Sequence, residues 1–553
     1  MRLSALGDSA IVLTLAESVD DAAIARTRRL ATELERHRPA GVADVVPAFA
    51  SVTVFYDVTR TAGFGTLCAE LEKTAARCAA ESSTAEPRHV EIPVCYGGEF
   101  GPDLAEVATH AGLGVAEAVA VHAGAVYEVH AIGFVPGFAY LGGLPEKLHT
   151  PRRATPRRVV PPGSVGIGGN QTGVYPLATP GGWNLIGRTP LCLFDPTRND
   201  PALLRAGDRV RFCAIEPREM AGPRVDDATA PGCSDEIAAP AIASSQARLS
   251  VLKAGMFTTV QDLGRPGFRA SGVPPGGAAD PIAARVANLL VGNPEEAAGL
   301  EFTLVGPELR FESAALVALG GAEFSGLPAW QPVRIAAGTE LRLGTASRGC
   351  RGFLAVAGGV EVPPVLGSRS TYVRGGFGGL RGRPLRDGDV LGVAEYGRRI
   401  RGHWHIDERI LPPYAHEPLV RIVPGAQSEE FDSALVTEVY RVTSHSDRMG
   451  LRLSGPPVAK RNGGGSTSST VAAGTIQVPP DGQPIVLLAD AQTIGGYPQV
   501  AHVIAVDLPL VAQLRPGDAV RFAAVTLAEA HRLALAREHA LAVLRAGIAE
   551  KFL

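Results

Sequence analysis

The sequence predicts a mainly β protein with an α/β part, in which β-barrels follow a small α/β sandwich. The 65 glycines and 43 prolines make up about a fifth of the 553 residues, without a collagen period, and this favours tight turns and short strands. Amphipathic helical patterns occur at only a few places. The length corresponds to roughly three to four domains.

The first predicted domain, residues 1–86, alternates element types. Its strand-like runs and amphipathic stretches follow the order βαββα, which forms a small open α/β sandwich. Asp20 stands where a helix N-cap is expected. The predicted elements are strands at Ser9–Leu15, Val42–Val46 and Ser51–Tyr56 and helices at Asp20–Arg38 and Thr66–Glu81.

Residues 87–218 form the second predicted domain, a closed antiparallel barrel. One helical block, Pro102–Gly124, precedes short extended runs that are broken by Gly and Pro. The segment Pro161–Pro176 is too rich in these residues to form a long helix. Residues 219–248 carry few large apolar side chains and are predicted to be an interdomain linker.

The second half is again mostly β, with a β-rich part at 249–400 and a barrel with a C-terminal helix at 401–553. Its helices are predicted at Asp280–Val291 and Thr526–Lys551. Asp280 before Pro281 fits a helix N-cap followed by proline at the first helical position. The nine residues Leu204–Phe212 recur in similar form as Leu514–Phe522, and each copy closes its half. This echo predicts two related barrels.

Composition excludes several function classes. The net charge of −3 gives no polybasic surface for nucleic acid or a membrane, and no run of about 18 apolar residues is present. The five lysines exclude a Walker A loop and a Met-Lys-Met biotin-acceptor turn, and HExxH and GxSxG are missing. The seven scattered cysteines form no CxxC pair, so we expect reduced thiols and a cytoplasmic protein.

Four Gly-rich polar segments are candidates for chemistry. The first, His130–Leu141, fits a hydrophobic slot with a proton-handling His130, or a barrel corner whose aromatic side chains fill the core. The second, Pro161–Arg188, fits a glycine nest for an anion, with Arg188 as a bidentate contact, or hairpin turns with solvated arginines.

The third and fourth segments lie in the second half. In Thr259–Pro281, the side chains of Gln261, Asp262 and Arg265 occupy a turn where polar groups converge on ligands. The fourth is spread over residues 367–376, 446–452 and 477–498, and its acidic, amide and arginine groups fit a polar, charged ligand. Asp481, in Pro-Asp-Gly, fits a β-turn equally well.

Several of these sequence motifs resemble those of a known protein family. His130-Ala-Ile-Gly-Phe-Val-Pro-Gly-Phe-Ala-Tyr-Leu141 and Pro162-Gly-Ser-Val-Gly-Ile-Gly-Gly-Asn-Gln-Thr-Gly-Val-Tyr-Pro176 resemble the B subunit of bacterial ATP-dependent 5-oxoprolinase. Thr259-Val-Gln-Asp-Leu-Gly-Arg-Pro-Gly267, Arg374-Gly-Gly-Phe-Gly-Gly379 and Gln477-Val-Pro-Pro-Asp-Gly-Gln-Pro484 resemble its C subunit. The superfamily includes the carboxyltransferase domain of urea carboxylase and a sporulation-kinase inhibitor pair. The resemblance implies a fusion of B and C with cyclophilin-like barrels.

The resemblance also implies ATP-driven opening of 5-oxoproline to glutamate with a separate A subunit, a small anionic substrate, and Mg²⁺ held by Asp residues. Homo-oligomerisation is a further expectation. On this basis the catalytic candidates are His130, Asp262, Arg448 and Asp481. The substrate- or nucleotide-binding candidates are Tyr140, Gly166, Gly168, Gly169, Gln171, Thr172, Arg188, Gln261, Arg265, Gln477 and Gln492.

Two alternatives stay open beside the 5-oxoprolinase interpretation. One is a biotin-dependent carboxyltransferase of the urea carboxylase type, whose biotin must come from a separate partner because this chain carries none. The other is a regulatory binding protein that inhibits a histidine kinase through its first half. All three depend on glycine-rich loops and guanidinium groups of both halves meeting at a common pocket.

Overall fold

A computed structural model describes residues 1–80, 87–221, 247–394, 404–461 and 468–552. The predicted linker at 219–248 lies almost wholly outside these residues. The described chain contains a small α/β domain, two closed barrels of seven strands and a β-sandwich between the barrels. The predicted fold class of β-barrels preceded by an α/β sandwich is therefore confirmed.

The N-terminal domain covers one face of a four-stranded sheet with two helices. The strand order is β1-β2-β4-β3, and apolar side chains of the sheet and of both helices share one core. The Asp20 carboxylate accepts the Ala23 N–H and so caps the first helix, as predicted. The sequence patterns did not reveal β1. The elements are β1 Arg2–Ala5, β2 Ala10–Thr14, α1 Asp21–Arg36, β3 Val42–Ala48, β4 Ser51–Tyr56 and α2 Phe64–Ala80.

The first barrel closes in the order β5-β12-β9-β10-β7-β6-β13, and its last strand pairs in parallel with its first. The predicted helical block is two helices that cross at 89°, because Gly112, at φ 65°, ends the first one. The elements are β5 His89–Tyr96, α3 Leu104–His110, α4 Val115–Gly124, β6 Val126–Ile132, β7 Ala139–Gly142, β8 Arg157–Val160, β9 Ser164–Gly168, β10 Gln171–Val174, β11 Thr179–Gly181, β12 Asn184–Arg188 and β13 Arg209–Ala214.

Two five-stranded sheets pack face to face in the middle of the chain and share one apolar core. Helix α5, capped by Asp280 as predicted, packs on strands of the second sheet. The elements are β14 Ala247–Lys253, β15 Thr258–Gln261, α5 Pro281–Leu290, β16 Gly299–Thr303, β17 Glu308–Phe311, β18 Ala315–Phe324, β19 Pro332–Ile335, β20 Glu340–Arg342, β21 Ala346–Val356, β22 Val360–Glu361 and β23 Val390–Val393.

The second barrel closes in the order β24-β31-β28-β29-β26-β25-β32, and the long C-terminal helix begins after the Thr526 cap. The elements are β24 Leu419–Pro424, α6 Ala434–Thr437, β25 Tyr440–Val442, β26 Gly450–Ser454, β27 Ser469–Thr470, β28 Thr475–Gln477, β29 Ile485–Leu487, β30 Ile494–Gly495, β31 Gln499–Val503, α7 Leu508–Ala512, β32 Ala519–Ala524 and α8 Leu527–Ala549.

The two barrels have the same topology. Numbered along the chain, the strands of each ring follow the order 1-6-4-5-3-2-7, and strands 1 and 7 are the parallel pair in both. The repeated segment, Leu204–Phe212 and Leu514–Phe522, leads into the last strand of each ring. Asp208 accepts the Arg205 N–H at 2.8 Å, and Asp518 accepts the Arg515 N–H at 3.0 Å, so the same turn precedes both strands. The prediction of two related barrels is confirmed.

Two further expectations concern membranes and cysteines. In the described ranges, no single helix has the length and apolar character to cross a membrane; only the bent pair α3–α4 passes on length and composition. Five described cysteines are free, but Cys192 is disulfide-bonded. The expectation that every thiol is reduced is therefore wrong for Cys192.

Candidate functional site

The two halves of the chain are joined by polar contacts. The Asp44 carboxylate on β3 pairs with the Arg269 guanidinium, whose Cζ also lies 4.2 Å from the centre of the Phe55 ring. Asp8, between β1 and β2, accepts the Ala505 N–H at 2.9 Å. The N-terminal domain therefore contacts both the sandwich and the second barrel.

The four predicted segments meet in one region, which we call the junction. Gly137 N–H donates to Ser271 O at 2.9 Å, and this bond joins the first segment to the third. Gly133 lies so close to Ile494 of the second barrel that a Cβ there would be 2.2 Å from the isoleucine Cγ1. The predicted loops of both halves are thus neighbours in space.

Arg374 connects three domains at the junction. It belongs to the sandwich, yet its Nη1 lies 2.7 Å from the Met449 sulfur in the second barrel. Its Nη2 donates to Thr179 Oγ1 in the first barrel at 3.1 Å, and its Cζ lies 5.6 Å from the centre of the Phe134 ring. Among the described residues no carboxylate forms an ion pair with Arg374. The sequence places Arg374 in a motif that carries the resemblance, but does not mark it as a site residue.

An aromatic cluster forms the first-barrel side of the junction. Tyr140, a predicted binding residue, is buried, and burial raises its pKa. Its ring contacts Phe49, Phe138 and Trp183 edge-on or tilted. Sequence reasoning missed Phe49 and Trp183, since neither the β3–β4 turn nor a lone tryptophan carried a signal.

His130 lies beside this cluster on β6. Its ring packs edge-on against Phe49 at 6.1 Å, and Gly142 leaves it room, since a Cβ there would be 1.9 Å from the imidazole. Burial lowers the pKa of His130. A neutral imidazole suits proton transfer, and its catalytic role stays a prediction.

The glycines of the second segment do not form the predicted anion nest. Gly166 and Gly168 are residues of β9 and pair in its ladders, so their backbone follows a strand and does not curl around a ligand. Their missing side chains make room for Trp183, whose ring would be 2.5 Å from a Cβ at Gly168. Gly169, at φ 68°, forms the hairpin turn to β10.

Three other binding candidates of this barrel make contacts within the barrel itself. Thr172 is buried in the barrel interior, where its Oγ1 donates to Gly166 O and contacts His122 Nε2 at 3.1 Å. Gln171 opens β10 beside the hairpin turn. Arg188 donates from Nε to Pro162 O at 2.9 Å on the outside of the barrel. Their predicted binding roles stay predictions.

Asp262 organises a loop in the sandwich. Its carboxylate accepts the N–H groups of Gly264 and Arg369 and the hydroxyls of Ser368 and Ser370. Four donors occupy both oxygens, so the predicted catalytic use of this carboxylate does not fit its geometry. The neighbouring Gln261 is fully buried and donates to Thr259 Oγ1 and Thr371 O, while its Oε1 has no hydrogen-bond partner. Its binding role stays a prediction.

Arg265 is a buried cation with an unused donor. It is 1% exposed, its Nη2 donates to Ser370 O, and its Nη1 has no hydrogen-bond partner. Burial lowers its pKa, whereas Asp262 and Asp490 act in the opposite direction. A Cβ at Gly276 would be 3.4 Å from Nη1 and 3.7 Å from Asp490 Oδ1, with no nearer atom. The free N–H of Arg265 therefore faces a glycine at the junction.

Arg448 ties the second barrel to the sandwich. It donates to Asp490 at 2.8 and 3.1 Å, to Gly277 O at 2.6 Å, and to Glu301. Burial opposes its charge, but Asp490 and Glu301 outweigh burial and raise its pKa. With all these bonds made, Arg448 acts as a positioning residue and not as the predicted catalytic group.

The remaining candidates differ in position. Gln477 is buried on β28 and donates to Tyr497 O at 3.1 Å, next to the junction. Gln492 is half-buried in the loop before β30. Asp481 is exposed and accepts the Gln483 N–H in its own turn, so the turn interpretation fits it and the catalytic prediction does not.

A cavity of about 750 Å³, here called the seam cavity, lies between the N-terminal domain and the second barrel. Phe49 is one wall, and Thr470, Gln499 and His502 are part of the opposite one. The described part of the chain holds no group of three or more His, Cys, Asp or Glu side chains that could bind a metal ion. The predicted Asp-held Mg²⁺ therefore has no matching cluster there.

Matches to two families place this two-barrel chain in the carboxyltransferase class. The family described as "Carboxyltransferase domain, subdomain C and D" matches residues 1–204, and "Carboxyltransferase domain, subdomain A and B" matches residues 271–524. The solved structure of TTHA0988 is 37% identical with a TM-score of 0.80 and covers 93% of this chain and 99% of its own.

Relatives of each half are known separately. The B subunit of 5-oxoprolinase from Bacillus subtilis is 43% identical over 39% of this chain and 94% of its own length. The C subunit of 5-oxoprolinase from Escherichia coli is 40% identical over 51% and 93%. Urea amidolyase of Lachancea kluyveri is 31% identical over 54% of this chain but 18% of its own. The chain belongs to the carboxyltransferase-domain family of the 5-oxoprolinase B and C subunits, with both halves in one polypeptide.

Proposed function

We propose that this chain provides the fused B and C subunits of an ATP-dependent 5-oxoprolinase and acts with a separate A subunit. The observation that carries the proposal is the junction, where segments of both halves meet around Arg374 and the free Nη1 of Arg265. Arg374 is half-buried and has no carboxylate partner among the described residues, and such a guanidinium group favours an anionic substrate, whereas Arg265 is buried and has Asp262 and Asp490 in its electrostatic surroundings.

The proposed chemistry follows from the stability of a lactam. Transfer of the γ-phosphoryl group of ATP to the lactam oxygen makes the ring carbon a better electrophile. Water then attacks this carbon and the C–N bond breaks, so that the ring nitrogen leaves as an amine and an acyl phosphate remains. A second water hydrolyses this acyl phosphate to glutamate and phosphate, so that ATP, 5-oxoproline and two waters yield ADP, phosphate and glutamate. Such transfer depends on positioning and on positive charge around the phosphates.

The chain's own residues supply the positive charge. Arg374 holds its position through weak acceptors, a thioether and a hydroxyl, so its charge is not neutralised by a neighbour among the described residues. His130 is the proton-handling candidate at the edge of the aromatic cluster. Because the described residues contain no acidic cluster for Mg²⁺, we derive no step from this ion.

A carboxyltransferase of the urea carboxylase type is the second candidate. The matched families carry the carboxyltransferase name, and urea amidolyase is among the relatives. This reaction requires a biotinylated partner, because the sequence has no Met-Lys-Met acceptor turn. The cytoplasmic location and a homo-oligomeric state also remain proposals.

The test is an ATPase assay of the purified full chain with the A subunit of a relative, with and without 5-oxoproline. We expect ATP hydrolysis that depends on 5-oxoproline and releases glutamate, and a loss of at least about tenfold for Arg374→Gln, as the loss of one charged contact gives. The matched control is Arg532→Gln, because Arg532 is an exposed arginine of α8 that pairs only with Glu529 among the described residues. Stable association with a biotinylated protein, without 5-oxoproline-dependent hydrolysis, would favour the carboxyltransferase instead.

A further inference from the structure

A second interdomain cavity, here called the helix cavity, lies where the N-terminal domain meets helices α5 and α8. Its volume is about 810 Å³, which is within the size range of small-molecule sites, and such sites are common between domains. Apolar side chains form much of its wall, and they include Leu263, Ile282, Leu289, Val506, Ala534 and Ile548. The wall therefore suits the apolar part of a ligand.

Four charged side chains of the wall neutralise one another. Arg285 on α5 donates to Glu538 on α8 at 2.5 and 2.8 Å, and to Glu295 at 2.5 Å. Arg545 on α8 donates to the same Glu295 at 2.7 Å. Two arginines thus balance two glutamates, and this network brings no net charge to the cavity.

Three further acidic side chains of the wall bring little negative charge into the cavity. Asp57 and Glu296 are exposed, so solvent screens their charge, and Asp57 also accepts the Thr59 N–H in its own turn. Asp8 is buried and accepts the Ala505 N–H, and burial raises its pKa, which disfavours its charged form.

Arg537 on α8 is the cation of this wall that has no carboxylate partner among the described residues. Its Nη1 donates to Ile410 O at 2.6 Å. Its Nε and Nη2 have no hydrogen-bond partner there, and neither is fully buried, so both remain accessible to a ligand. Burial lowers the pKa of Arg537, and Tyr414, Asp280 and Asp507, which act in the opposite direction, do not compensate for burial.

The free edge of Arg537 is the edge that binds carboxylates elsewhere in this chain. Arg421 holds Asp507 with its Nε and Nη2, at 2.9 and 2.5 Å. Arg532 holds Glu529 with the same two atoms, at 2.8 and 2.7 Å. Two parallel N–H bonds to one carboxylate make a strong and geometrically specific pair. Arg537 therefore presents a complete carboxylate-binding edge beside an apolar wall.

We propose that the helix cavity binds an organic monocarboxylate with an apolar body, whose carboxylate accepts from Nε and Nη2 of Arg537 and whose apolar part packs between α5 and α8. A neutral or cationic molecule would leave the guanidinium group without its partner. Aliphatic and aromatic acids share this chemistry, so the experiment contains one of each. Neither Arg265 nor Arg374 lines this cavity, so the proposal does not rest on the function assigned to the junction.

The experiment is calorimetric titration of the full chain with octanoate, 3-phenylpropionate, 1-octanol and octylamine. We expect both acids to bind, and the alcohol and the amine to bind at least about tenfold more weakly, because they cannot accept charge-assisted hydrogen bonds. Arg537→Gln should weaken both acids about ten- to a hundredfold and remove the preference for octanoate over octanol. The matched control is Arg532→Gln on the same helix, which should leave acid binding unchanged.

A pair of tryptophan variants tests the cavity itself and does not depend on the stability of Arg537→Gln. Ala549 is exposed and lines the helix cavity, so Ala549→Trp should occupy part of it and weaken octanoate binding at least about fivefold, with little change in melting temperature. Ala536 is also exposed on α8, but it lines a smaller cleft, of about 490 Å³, that Arg537 borders as well. Ala536→Trp should leave octanoate binding unchanged.

Several results would overturn the proposal. They are no saturable binding of either acid, binding of octanol or octylamine as tight as that of octanoate, and acid binding that Arg537→Gln does not weaken. Octanoate binding that Ala536→Trp blocks and Ala549→Trp does not would place the ligand in the smaller cleft. Binding that is lost in Arg374→Gln would place it at the junction. Each of these outcomes leaves the proposed 5-oxoprolinase reaction intact, because that reaction is tested separately by ATP hydrolysis with the A subunit.

Discussion

Replacing Arg448 by methionine tests whether this side chain holds the second barrel against the sandwich. Its guanidinium makes two bonds to Asp490, one to Glu301 and one to Gly277 O, and all three charged side chains are almost fully buried. Removing one partner of such a network leaves the others as uncompensated buried charges, which costs about 3–5 kcal/mol.

The expected loss of stability is large enough to be measured as a shift in melting temperature. A unit of 150–250 residues loses about 2–4 °C of melting temperature per kcal/mol, so the second barrel of Arg448→Met, taken with the C-terminal helix as one unit, should melt about 6–20 °C lower. The melting temperature is preferred to a free energy because a chain of several domains need not unfold in two states. Adding Glu301→Gln removes one stranded carboxylate and should recover part of the loss.

The control is Arg532→Met, which removes an exposed ion pair with Glu529 and should change the melting temperature by about 2 °C or less. A shift for Arg448→Met that is no larger than this control would refute the role of Arg448 as the tie between the two domains. If Arg448→Met lowers the melting temperature strongly but adding Glu301→Gln recovers none of that loss, the explanation by an uncompensated buried charge is refuted.

Three other predictions concern single side chains. Asp262→Asn should lower stability by about 2–3 kcal/mol, since an amide cannot accept four hydrogen bonds; lost activity with an unchanged melting temperature would instead support catalysis by Asp262. Gly168→Ala should cost about 1–3 kcal/mol in denaturant unfolding, because its Cβ meets the Trp183 ring at 2.5 Å. A Cβ at Gly65 in α2 meets nothing and alanine favours the helix, so Gly65→Ala should not lower stability. Burial lowers the pKa of His502 from 6.5 to about 4, so the unfolded chain takes up the proton first as the pH falls. The free energy of unfolding should therefore decline by about 1.4 kcal/mol per pH unit between these two values. In urea unfolding measured as a function of pH, His502→Asn should remove this part of the decline.

Sequence reasoning succeeds where the cause is local. Asp20 and Asp280 cap helices because a carboxylate at that position reaches the backbone N–H group three residues ahead. The repeated Leu-Arg-x-Gly-Asp turn led to two related barrels because the same turn precedes the same strand in both. Strand β1 was missed because a four-residue edge strand has too few residues to show a period.

The site depends on contacts that no local pattern contains. The hydroxyls that donate to the Asp262 carboxylate belong to residues more than a hundred positions further along the chain. Glu301 is separated from Arg448 by 147 positions in the sequence. The glycines show the same limit of local patterns, since a Gly-rich segment is compatible with an anion-binding backbone nest or with a β-strand. The indole of Trp183, packed over Gly168, decides in favour of the strand.

The shared barrel topology bears on where the function is located. Each ring has its own filled core, with Val165 and Ile167 in one and Ile476 and Val486 in the other, so neither interior needs the other half to be complete. The orphaned donor of Arg265 and the polar wall of the seam cavity, in contrast, lie where different domains meet. The 5-oxoprolinase B and C subunits are separate proteins, whereas this chain, like that of TTHA0988, contains both halves. Their association is then intramolecular, and the high effective concentration of each half for the other adds to contacts such as the Asp44–Arg269 pair and the Asp8–Ala505 bond.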